Sequence, residues 1–195
     1  LFMLKNDYGN ALKKRQKAID MIEKLHSKDA DVRTASLLSN LYNNLSNTYL
    51  SLKKREEAAT ALHTAFMIRI EYAELGLVES HDMLQQMMNL TNMMILSKEF
   101  EKAEQILSMY ENLIVEHVGC DTLDYGVCKL TAGIISLVQG KAQPAETNLL
   151  AAEAILTNIV GSDNDYVKTT HQYLRTLYTR WRKPELVEKY IQKLQ

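Results

Sequence analysis

The chain has 195 residues, of which only seven are Gly and two Pro, against usual shares of about 7% and about 5%. So few breakers exclude a many-turned sandwich or barrel, and also a collagenous or Pro/Gly-rich disordered chain. With 46% apolar residues, and 23 basic residues balanced by 24 acidic ones without a basic tract, the composition suits a globular core and argues against nucleic-acid binding.

An all-helical chain is therefore expected, and its helices repeat. A second-type amphipathic segment at residues 6–11 opens the chain; Tyr8, Ala11 and Ala18 fit the second helix of a helix pair, whereas residues 1–4 fit only the end of a first helix. The chain thus begins in mid-unit and is expected to be a fragment lacking an upstream half-repeat. Next come four stretches that can be written under one another: 41–49, 86–94, 128–136 and 170–178. Each is followed, after a short polar or basic break, by a second amphipathic segment centred on Ala58, Ala103, Ala145 or Val187. Those centres lie 45, 42 and 42 residues apart, and Ala11 lies 47 residues before Ala58. A fixed spacing of this kind signals stacked copies of one supersecondary unit. The expected organisation is a single repeat array over 1–195, with units at 1–28 (partial), 29–76, 77–119, 120–161 and 162–195.

Within each unit the apolar residues recur at helical intervals. Tyr42, Leu45, Tyr49 and Leu52 share one face of a first helix, and Ala58, Leu62, Ala65 and Ile68 one face of its partner. Small residues Ser46, Thr91 and Gly133 take equivalent places on first helices, as Ala58, Ala103 and Ala145 do on second helices. Large against small at fixed places is how an antiparallel helix pair interlocks. Asp29 and Asp31, Ser80 and Asp82, Asp121 and Asp124, and Asp163 and Asp165 are placed to cap or charge the starts of first helices. Pro144 and Pro184 fall near the first turn of second helices, where a missing N–H costs least. Gly76, Gly119 and Gly161 mark joints between units, and Gly140 the turn inside one.

This pattern resembles the tetratricopeptide repeat, which sets aromatic or Leu, Leu, small and Tyr on the first helix and Ala, aromatic or Leu, and Ala on the second. Here those places hold Tyr42, Leu45, Ser46 and Tyr49, then Ala58, Leu62 and Ala65. The third unit reads Lys129, Ala132, Gly133 and Ser136, then Ala145, Leu149 and Ala152; the fourth reads His171, Leu174, Arg175 and Tyr178, then Val187, Ile191 and Leu194. Arg175 at the small position departs from the pattern and argues against close packing in the last pair. The common period is about 34, so spacings of 42 to 47 are closer to the kinesin-light-chain variety. The resemblance implies a right-handed superhelix of antiparallel helix pairs, about nine helices here, with first helices lining the concave face. It also implies a role in protein–protein interaction.

The chemical inventory is thin. His26, His63, His81, His117 and His171 show no metal-ligand spacing, and Cys120 and Cys128, eight residues apart, make neither a zinc pattern nor a disulfide framework. No phosphate-binding loop or nucleophile elbow occurs. The acidic residues near the turns, such as Glu56, Glu57, Glu99 and Glu101, sit beside Lys or Arg as on solvated faces. No cofactor, metal or catalytic step is expected. Nothing approaches the roughly 18–20 apolar residues of a membrane span, no signal-peptide pattern opens the chain, and two cysteines suit a reducing cytoplasmic setting. Met87, Leu90 and Met94 match inward positions, leaving Met88 and Met93 off the packing stripe.

The candidate binding residues are polar. Asn40, Asn43 and Asn47 form a stripe distinct from the packing stripe. Equivalent places hold Gln85, Met88 and Asn92 in the next unit, Val127, Leu130 and Ile134 in the third, and Thr169, Gln172 and Thr176 in the fourth. Amides at one end and aliphatics further along suit an extended peptide or helix from a protein partner. The aliphatic third unit disfavours a carboxylate clamp. The alternative is the regulatory or sensor region of a larger signalling or transcription-regulatory protein.

Overall fold

The computed structural model describes residues 8–28, 31–73 and 81–195, with the side chains of Tyr8, His81 and Asp82 left aside. Gly76, Asp29, Ser80 and residues 1–7, to which sequence roles were assigned above, lie outside that set. Among the described residues there are nine helices and no strand: α1 (Tyr8–His26), α2 (Val32–Ser51), α3 (Arg55–Glu71), α4 (His81–Leu96), α5 (Phe100–His117), α6 (Leu123–Val138), α7 (Ala142–Val160), α8 (Asp165–Arg180) and α9 (Pro184–Gln192). Contacts divide the chain into two compact units, Leu1–Met93 and Met94–Gln195.

In the first unit α2 packs on both α1 and α3. Ser46 Oγ donates to the carbonyl of Ala58 at 2.8 Å, and Ser39 Oγ to that of Ala65 at 2.9 Å. One partner moves seven residues back as the other moves seven forward, so α2 and α3 run antiparallel. Buried Ser39 and Ser46 lack the bulk to hold the backbones apart, and each satisfies its hydroxyl on the opposing helix. Ile19, Leu38, Leu45 and Ala61 form one buried cluster, with Leu12, Tyr42, Tyr49 and Ile68 packed against it.

In the second unit α6 touches α5, α7 and α8, and α8 also packs on α7 and α9. A Cβ on Gly133 would stand 2.6 Å from Leu149 Cγ, and one on Gly126 would stand 2.7 Å from Leu156 Cδ2. The expected close approach at Gly133 is present, and Gly126, seven residues earlier, extends it by two turns. Ala145, Leu149, Ala152 and Leu156 are fully buried on the facing helix. Arg175, where Gly133 has its equivalent, is exposed; α8 and α9 meet instead through Tyr178 and Tyr190, stacked with centroids 5.8 Å apart.

Helix starts follow the expected chemistry with two shifts. Asp31 caps α2, accepting from Thr34 N at 2.7 Å in a reciprocal capping box. Thr122 and Asn164, however, cap α6 and α8, while Asp124 and Asp165 lie inside the first turns as favourable charges. Pro184 opens α9, and Pro144 sits in the first turn of α7.

The first helices all end alike. Lys53, Lys98, Gly140 and Arg182, at the repeat spacing, have φ of 61°, 61°, 77° and 55°. In each case the left-handed residue donates three residues back and its successor five residues back, as Lys98 N does to Ile95 O and Glu99 N to Met94 O. This Schellman arrangement favours glycine, because the left-handed region costs an L-residue roughly 1–2 kcal/mol. Lys98→Gly should therefore raise the unfolding free energy by about 0.5–1 kcal/mol, after glycine's extra unfolded-state entropy. Gly140→Ala should lower it by about 1 kcal/mol. Urea denaturation of both variants checks the pair of signs.

Candidate functional site

The asparagine stripe lies along α2. Asn40 and Asn47 are exposed and Asn43 is half-buried. Asn40 has a structural role, because its Oδ1 accepts from Nη2 of buried Arg69 at 2.7 Å, while Arg69 Nε donates to Ser39 Oγ at 2.9 Å. The Asn43 and Asn47 carboxamides hydrogen-bond to no described residue. On α4, Gln85 and Asn92 are exposed and Met88 is half-buried; Gln85 Nε2 donates to Asn89 Oδ1 at 2.9 Å. Met87, Leu90 and Met94 are buried, as their inward positions require.

The aliphatic part of the expected groove is different. Val127 is fully buried and Leu130 is 4% exposed, so both belong to the core of the second unit; only Ile134 is half-buried. The correction has a geometric cause. With α5, α7 and α8 all against α6, its buried arc is wider than the single stripe that helical periodicity alone suggests.

A polar hub in the second unit has no clear precursor in the sequence. Glu153 on α7 accepts from Tyr190 Oη (2.8 Å) and Lys193 Nζ (2.5 Å), and meets His171 Nε2 at 3.0 Å. Glu146, two turns earlier, accepts from Tyr178 Oη at 2.9 Å and pairs with Lys183 at 3.7 Å. Spacing of seven on α7 was the available signal, but acidic residues with such spacing also occur on solvated faces. Burial pushes Glu153 up, yet bonds from Lys193 and Tyr190 and the charge of Lys193 outweigh it and hold the carboxyl below its ordinary value. Burial lowers His171 despite the neighbouring carboxylate. With Nδ1 buried and unbonded, the neutral ring donating from Nε2 satisfies the geometry.

The thiols differ in setting. Cys120 is exposed and Cys128 buried, with burial pushing the Cys128 thiol far up. No group of three or more metal-ligating side chains occurs among the described residues. No described helix is long and apolar enough to cross a membrane.

Solved structures place this fold. BtubC (BKLC) from P. vanneervenii is 19% identical with a TM-score of 0.74, covering 97% of this chain and 72% of that one. The apo form of RapI is 17% identical with a TM-score of 0.69; the match covers 93% of this chain but only 48% of RapI. Nearly identical TPR-like repeats of kinesin-light-chain type from Podosopora anserina are 15% identical with a TM-score of 0.60, covering 97% of this chain and 90% of theirs. The chain has the fold of TPR-like helical repeats. Its likeness to the kinesin-light-chain type agrees with the long period read from sequence. No family model matches the sequence, and no curated protein does.

The hub has a pH consequence. Glu153, depressed on folding, contributes stability that is present above its unfolded pKa near ~4.3 and is lost as pH falls through the folded value. His171, also depressed, resists a proton that the unfolded chain takes up below about 6.5, so it too favours folding less as pH falls. Thermal melts should show a declining midpoint from pH 7 towards pH 4. Glu153→Gln should cost about 1–2 kcal/mol at pH 7 and flatten that decline.

Proposed function

We propose that the chain is a protein-interaction module that grips a peptide or helix of a partner along its first helices. The observation that carries this reading is the pair of Asn43 and Asn47 carboxamides, one helical turn apart on α2 and hydrogen-bonded to no described residue. Asparagine is a weaker helix former than the long straight-chain residues, so Asn43 and Asn47, which unlike Asn40 bond no described residue, are better explained by a ligand than by folding. Each carboxamide offers a donor pair and an acceptor, the complement of a peptide group. Gln85 and Asn92 repeat this chemistry on α4, with Met88 as an adaptable apolar neighbour.

In this reading affinity comes from amides and a small apolar contribution from Met88. Binding needs no cofactor and no catalytic step, and a cytoplasmic setting suits the free thiols. The TPR-like fold supports the reading, since paired-helix repeats present long surfaces for recognition. A second reading is the regulatory repeat region of a larger multidomain protein; in RapI the matched fold makes up 48% of a longer chain.

Affinity capture with the wild-type chain and with Asn43→Ala plus Asn47→Ala tests the leading reading. Quantitative mass spectrometry should show at least one specific partner depleted about tenfold or more, a difference of about 1.4 kcal/mol, with helicity unchanged. Full retention of every partner by the double variant would overturn the assignment.

A further inference from the structure

A second feature of the first unit lies on a different stripe of α2 and does not rest on the asparagine reading. Between α1 and α3 a cavity of about 520 Å3 opens over α2. Its floor is Tyr42, Leu45 and Tyr49; Gln16 of α1 lines one side, and Glu56 and Glu57 of α3 the other. The tyrosines are half-buried and Leu45 is buried, so the floor is apolar and aromatic.

The two charged side chains that line this floor are both acidic, with Lys53, Lys54 and Arg55 preceding them in sequence. Both ionisable carboxyls that line it, Glu56 and Glu57, are exposed. On α1, outside the lining itself, Asp20 accepts from Gln16 Nε2 at 3.2 Å and Glu23 accepts from Tyr42 Oη at 2.5 Å. Among the neighbouring cations, Arg15 and Lys54 have defined contacts. Arg15 is bonded to the Asn44 carbonyl and Thr48 Oγ1 on α2. Lys54 holds its ammonium 3.1 Å from Glu57 and 6.0 Å from the centre of the Tyr49 ring. Thus the chain's own ammonium already rests between a carboxylate and an aromatic ring at this site. Glu56 forms no ion pair with a described residue.

We propose that this cavity receives an arginine or lysine side chain from a basic segment of a partner protein. The aliphatic stem lies over Tyr42, Leu45 and Tyr49, as long basic side chains do on apolar surface. The cationic head reaches Glu56 and Glu57 beside the Tyr49 ring, displacing Lys54, so that charge-assisted bonds and cation–π attraction act together. Charge complementarity selects the partner: an acidic rim over an aromatic floor repels acidic segments and gives a neutral side chain no counter-charge.

The test is a titration of the full isotope-labelled chain with acetyl-hexaarginine amide, its neutral isostere hexacitrulline, and spermidine, followed by amide NMR shifts. Hexaarginine should give saturable shifts centred on Tyr42, Tyr49, Thr60 and Thr64; hexacitrulline should give none. Glu56→Gln plus Glu57→Gln should weaken hexaarginine about tenfold, whereas Glu101→Gln plus Glu185→Gln, the same charge change on exposed sites in the second unit, should leave it within about twofold. Lys54→Gln, which removes the internal competitor, should tighten binding about threefold; this arm decides the matter if the double variant at α3 loses helicity. Equal weakening by the distant pair, equal binding of hexacitrulline, or shifts centred elsewhere would overturn the proposal. Spermidine saturating the same amides as tightly as hexaarginine would overturn the assignment to a protein side chain in favour of a small polyamine.

Discussion

The structure depends on how closely two helices of a pair can approach. In the second unit that distance is set by Gly126 and Gly133 on α6, where a single added carbon would run into Leu156 or Leu149. In the first unit Ser39 and Ser46 set it, and their hydroxyls bond the facing carbonyls of Ala65 and Ala58. The two solutions are physically different. Glycine gives contact at the expense of helix propensity, about 1 kcal/mol per residue, whereas serine needs slightly more room but converts the contact into a hydrogen bond. Both place small residues seven apart, so one stripe fixes register along two helical turns.

That constraint assigns the remaining faces of each first helix. On α2 the serines face α3, Tyr42, Leu45 and Tyr49 face the core and the cavity beside it, and Asn43 and Asn47 are left without hydrogen-bond partners among the described residues. On α6, neighbours on three sides absorb Val127 and Leu130 into the core. Homologous positions thus have unlike exposure. In the last pair, where Arg175 replaces the small residue, aromatic stacking and the bonds converging on Glu153 hold α9 to α7 and α8.

Much of this was legible in the sequence. The 42-to-45-residue recurrence located the helix pairs, Ser46 and Gly133 located their contacts, and Asp31, Pro144 and Pro184 located helix starts. What was not legible depended on three-dimensional neighbours. A helical stripe tells which residues share a face but not how many helices cover it, so Val127 and Leu130 read as a surface patch. Gly126 could not be distinguished from an incidental glycine without Leu156 beside it. The left-handed Lys53, Lys98 and Arg182 carried no compositional mark, because only Gly140 uses the residue that such a turn favours. The Glu153 hub joins residues from three elements whose sequence separations of 18, 37 and 40 obey no local period.

A double-mutant cycle at Gly133 and Leu149 tests the central constraint most directly. Gly133→Ala adds a methyl group where Leu149 already stands, and overpacking of this kind costs about 1–3 kcal/mol against a propensity gain of about 1 kcal/mol. Chemical denaturation should therefore show Gly133→Ala to be destabilising in the wild-type background, but neutral or stabilising once Leu149→Ala has cleared the space. The predicted coupling is at least about 1 kcal/mol. If Gly133→Ala stabilises the chain equally in both backgrounds, helix propensity alone governs the position and close approach does not set the fold.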